Sequence, residues 1–65
     1  MLLTKKQREK RAMEAEIRRL RAERDKAAHT AYAFYYAGAW NLGAAYHDRA
    51  KAFSDALLDV HKKTA

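Results

Sequence analysis

Between residues 13 and 34, apolar side chains return at alternating spacings of four and three: Met13, Ile17, Leu20, Ala27, Ala31 and Phe34, with Arg24 as the one polar intruder. This is the repeat of a helix that lays a single stripe on a partner, and Gly38 falls on its next position. Upstream, Thr4 followed three residues later by Gln7 predicts a capping box, in which hydroxyl and amide each satisfy a free backbone N–H. Gly38 predicts the end of that helix, because a residue without Cβ enters the left-handed region without a clash. A second stripe of Leu42, Tyr46, Phe53, Ala56 and Val60, with Leu57 beside it and Arg49 intruding, predicts a second helix. Asn41 is its expected N-cap, and His61, Lys62 and Lys63 complement the negative end of its dipole.

The fold class that follows is all-α, a two-helix antiparallel hairpin with a long first helix. It is read as one domain over 1–65, with helix 1 at about 4–37, the turn at 38–41 and helix 2 at about 42–62. At a rise of about 1.5 Å per residue, helix 1 extends ~50 Å and helix 2 only ~30 Å. Helix 2 should therefore run out opposite Leu20, leaving Lys5 to Ile17 without an intramolecular partner. A lone arm of that size is unstable, so it should fray, dock on a target or pair with a second copy, the expectation being a dimeric helical bundle with Met13 and Ile17 as the arm's apolar handles. Two other architectures compete. Gly38 and Gly43 could be absorbed in one continuous helix of an intermolecular coiled coil. Residues 27–46 carry no Asp, Glu, Lys or Arg and are long enough to cross a bilayer, but Ala, Tyr and Gly dominate them, so insertion gains little and a membrane partner is disfavoured.

Composition narrows the function classes. A chain of 65 residues buries too little surface for a robust lone core, which again favours self-association. The absence of Cys excludes disulfides, thiolate metal sites and cysteine nucleophiles. No apolar stretch of signal-peptide type follows Met1-Leu2-Leu3, so a cytoplasmic location is the default. The net charge of +6 is lopsided: residues 1–26 hold ten basic and five acidic side chains, and residues 27–65 hold four and three. An acidic partner fits that excess, whether nucleic acid, protein or anionic surface.

Six of the seven aromatic residues fall between Tyr32 and Tyr46, around the expected turn. At 100° per residue Phe34 and Tyr35 share the stripe with Ala27 and Ala31, whereas Tyr32 and Tyr36 lie on a second face with His29. One partner helix cannot cover both faces, so Tyr32, Tyr36 and Trp40 are candidate anchors of a protein interface. The basic candidates are Lys5, Lys6, Arg8, Lys10 and Arg11, with Arg18, Arg19 and Arg21 extending the footprint. Acidic residues interrupt that run, and Glu14 with Arg18, Glu16 with Arg19 and Glu23 with Lys26 stand at helical pairing distance.

His29, His47 and His61 lack metal-ligand spacing, and His47 beside Asp48 has no nucleophile or second base at i±3 or i±4 except Lys51, so neither enzyme chemistry nor a cofactor is expected. Trp40-Asn41-Leu42-Gly43 is similar to the bend of the secreted Trp-x-Gly helical hairpins. Here two residues separate Trp from Gly where that family has one, and no function is carried over. The sequence thus points to a small non-enzymatic helical interaction protein, an adaptor or inhibitor that binds a macromolecular partner. The alternative is non-specific nucleic-acid binding by the basic first helix of a dimer.

Overall fold

The computed structural model describes residues 2–64 and contains two helices, α1 (Lys5–Tyr36) and α2 (Trp40–Thr64). They fold back on one another as an all-α hairpin. The start of α1 is set by local chemistry. Thr4 Oγ1 accepts from the Gln7 N–H at 3.1 Å, and the Thr4 N–H donates to Gln7 Oε1 at 3.0 Å, completing the capping box.

The turn is tighter than the stretch 38–41 expected from sequence. Ala37 caps α1, Gly38 takes φ +80°, and the Ala39 N–H reaches back to Phe34 O at 2.8 Å while the Gly38 N–H reaches Tyr35 O at 3.1 Å. These two crossed bonds form a Schellman motif, which satisfies the last carbonyls of α1 and reverses the chain at once. Ala39 then offers its own carbonyl to the Gly43 N–H at 3.0 Å, so α2 is under way by Trp40. Asn41 consequently sits inside the first turn of α2 and is not its cap.

The register of α2 also differs from the expected one. Leu42 is 51% exposed and Ala56 only half-buried, whereas Gly43, Ala50 and Leu57 are buried. The stripe that faces α1 is therefore Gly43, Tyr46, Ala50, Phe53, Leu57 and Val60, one residue over from the expected line at three of six positions. Near the turn small side chains explain the choice. Opposite Ala27 and Ala31 of α1, Gly43 and Ala50 let the backbones approach closely, and Leu20 and Leu57 fill the seam farther from the turn. Tyr35 shows how close the approach is: a Cβ built on Gly43 would lie 2.7 Å from two of its ring carbons. The Tyr35 ring also tilts against Trp40 at a centroid distance of 5.4 Å. Beside it Phe34 stacks on Tyr46 at 5.4 Å, and the Arg49 guanidinium lies 5.3 Å over the Tyr46 ring.

The predicted overhang of α1 is shorter than expected. With 32 residues in α1 and 25 in α2, the difference is seven residues, or about 10 Å of helix. Lys63 at the far end of α2 shares a cleft with Lys6, Lys10, Met13 and Ile17, so α2 reaches well past Leu20. The tight turn and the continuation to Thr64 supply the extra length. The Cα envelope measures 53 × 23 × 11 Å: a slab one helix thick, with both broad flanks open.

Candidate interaction surfaces

In a slab of this kind every side chain off the seam belongs to one of three surfaces: two flanks and the outer backs of the helices. At 100° per residue, Arg24, Ala28, Tyr32 and Tyr35 of α1 fall on one side of the Leu20, Ala27, Ala31 line, and Glu16, Arg19, Glu23, Lys26 and Thr30 fall on the other. On α2 the first flank takes Trp40, His47, Lys51, Ser54 and Leu58, and the second takes Leu42, Tyr46, Arg49, Phe53, Ala56 and Val60. Each flank contains a groove. The first groove has Ala28, Ala31 and Ala50 along its floor, Tyr32 and Tyr35 on one wall, and Arg24, His47 and Lys51 around it, with no carboxylate among its lining residues. The second is lined by Glu23, Lys26, Thr30, Tyr46, Arg49 and Phe53, and so carries both signs of charge.

The candidate anchors from the sequence lie on the outside. Tyr36 is 91% exposed, Tyr32 66% and Trp40 65%, while Phe34 and Tyr35 turn inward and are half-buried. Tyr32 and Trp40 share the first flank, whereas Tyr36 points to the back of α1, so the three do not form one continuous patch. Leu58, 58% exposed, joins Tyr32 and Trp40 on that flank; the sequence reading placed it in no stripe. Its spacing from His47, Lys51 and Ser54, at four, three and four, was the available signal. Met13 and Ile17 are half-buried beside the cleft that ends at Lys63.

The basic candidates are all exposed, but they ring α1 instead of lining one side of it. Lys6 and Lys10 come together with Lys63, whereas Lys5 and Arg8 face away from them and Arg11, Arg18 and Arg21 spread over the back. Of the three ion pairs anticipated along the helix, one forms. Arg19 holds Glu16 through two hydrogen bonds of 2.6 and 3.2 Å, which lowers the Glu16 carboxyl and raises the Arg19 guanidinium from their ordinary pKa values. Arg24 leaves the seam by turning to the carboxylate of Asp25 at 3.1 Å. Among the described residues Glu14 and Arg18 form no ion pair, nor do Glu23 and Lys26, so most of the basic excess of α1 is uncompensated at short range.

Among the described residues no three His, Asp or Glu side chains gather as a metal site, and no helix is long and apolar enough to cross a membrane. Comparison with protein-family models, with curated proteins and with solved structures finds no match.

Proposed function

We propose that the protein is a non-enzymatic helical adaptor or inhibitor that binds a protein partner through the flank carrying Tyr32, Trp40 and Leu58. The supporting observation is the chemistry of that flank: Tyr32, Trp40 and Leu58 are exposed on the side that carries a groove floored by alanines, with Arg24, His47 and Lys51 among its lining residues and no carboxylate. Large rings on a shallow apolar floor give a partner area to bury at low entropic cost, which is why Trp and Tyr dominate binding hot spots. The cations favour an acidic partner, and the net charge of +6 steers it from a distance.

Truncating Trp40 and Tyr32 together to Ala should lower capture of the native partner by at least about 100-fold, while far-ultraviolet circular dichroism retains the helical content of the parent. Capture unchanged in the double variant sinks this reading. A second reading draws on the uncompensated cations of α1. There the basic end holds phosphates, and affinity for a generic duplex falls steeply between low and physiological salt. The encircling placement of the basic residues counts against it, because only part of the ring can face one nucleic-acid backbone. No binding to duplex at low salt removes it.

A further inference from the structure

We propose that a second copy of this chain packs on the other flank, the one formed by Leu42, Phe53, Ala56 and Val60 beside the Phe34–Tyr46 stack, giving a two-fold dimer of hairpins. This goes beyond the partner reading and uses the opposite face of the slab. Three observations converge on it.

The first is area. The chain exposes 5540 Å². A compact monomer of the same mass, 7.5 kDa, exposes only about 4,250 Å² by the general scaling of surface with mass. The excess, about 1,300 Å², is more than the ~800 Å² per partner that a standard stable interface covers. The buried core points the same way, since among the described residues Leu20 and Leu57 are the only buried side chains larger than Ala.

The second is the width of the apolar stripe on α2. Gly43, Ala50 and Leu57 face α1, yet Leu42 and Ala56 continue a parallel line one residue to the side, with Tyr46, Phe53 and Val60 common to both. Two overlapping heptad lines mark a helix with two helical neighbours, and a single hairpin supplies one.

The third is charge, which selects the flank. On α1 the edge of this face alternates Glu16, Arg19, Glu23 and Lys26, and Arg49 is already laid over Tyr46. A two-fold axis can set acid against base along such an edge. On the Trp40 flank the same operation would bring the Lys51 edge against its own copy, with no carboxylate among the groove's lining residues and with Arg24 already held by Asp25.

Sedimentation equilibrium of the full chain, from about 1 to about 200 µM, should reach twice the monomer mass within that range. Leu42→Glu should raise the dissociation constant at least about 100-fold, whereas Leu58→Glu, an equal change on the opposite flank, should shift it less than about threefold. Both leucines are more than half exposed in the single hairpin, so neither change removes a core contact. A monomer at every concentration overturns the proposal. So does a dimer that tolerates Leu42→Glu, or one that Leu58→Glu dissociates as strongly. Partner capture by Leu42→Glu separates the two proposals: it persists if the Trp40 flank alone binds the partner.

Discussion

The half of the hairpin next to the turn and the half remote from it are joined by different physics. Near the turn the backbones meet over Ala27, Ala31, Gly43 and Ala50, and rings close the sides: Tyr35 against Gly43 and Trp40, Phe34 on Tyr46. Farther along, Leu20 and Leu57 are the buried pair, and beyond them the described helices offer half-buried Met13 and Ile17 among charged neighbours. One half therefore depends on shape, where an added methyl is harmful; the other depends on bulk, where a lost methyl is harmful. The far end of α1 relies on neither, and is held by its capping box.

The largest effect expected from this contrast is at Leu57. Truncation to Ala removes one of the two sizeable side chains buried among the described residues, and such changes cost about 2–5 kcal/mol. A chain this small has little stability in reserve, so Leu57→Ala should lose most of its helical signal at 25 °C. A cooperative transition within a few degrees of the parent would show that the leucine seam does not hold the remote half.

Gly43 tests the other half, and the sign of its effect depends on Tyr35. An Ala there gains up to about 1 kcal/mol of intrinsic helix propensity. Its Cβ, however, would meet the Tyr35 ring at 2.7 Å, and that ring is backed by Trp40. Overpacking of this kind costs about 1–3 kcal/mol, so Gly43→Ala should be destabilising by about 1 kcal/mol net. In a Tyr35→Ala background the same substitution should become stabilising, because the obstacle is gone and the propensity gain remains. Chemical denaturation of the four chains gives the coupling directly, and additivity would mean that the helices do not meet closely at Gly43.

The same two positions show what the sequence could reveal. The capping box at Thr4 and Gln7 and the left-handed Gly38 were legible because each is written in a few neighbouring residues. The register of α2 was not. Two heptad lines share Tyr46, Phe53 and Val60, and choosing by hydrophobicity selects Leu42 over Gly43, although the chosen line also contains Arg49. At 42 and 43 the decision rests on distance of approach, which favours Gly43 beside the Tyr35 ring and belongs to the pair of helices. The turn was read too long for a related reason: Asn41 is a good cap in isolation, but the bonds from Gly38 and Ala39 had already reversed the chain. Of the candidate sites, exposure of Tyr32 and Tyr36 follows from helical periodicity, whereas Trp40, expected in the turn, is exposed on the first turn of α2. Their division between a flank and the back of α1, and the meeting of Lys6 and Lys10 with Lys63, required the correct turn and the full length of α2.

The smallest expected effect lies at the far end of α1. Thr4→Ala removes the oxygen that accepts from the Gln7 N–H, while the backbone N–H of residue 4 can still donate to Gln7 Oε1, a loss of about 0.5–2 kcal/mol of local helix stability. Near the turn a change of that size would lower the unfolding midpoint. Here the first turns of α1 project about 10 Å beyond α2, so they can fray without opening the seam. Amide exchange should therefore accelerate over residues 5–12 while the midpoint and the exchange of Leu57 stay at the parent's values. If the midpoint falls with the cap, the end of α1 is coupled to the core, and a second copy packed along the whole length of the hairpin would supply that coupling. Repeating the comparison at micromolar and at hundredfold higher concentration then distinguishes coupling within one chain, which dilution leaves intact, from coupling through a dimer, which dilution removes.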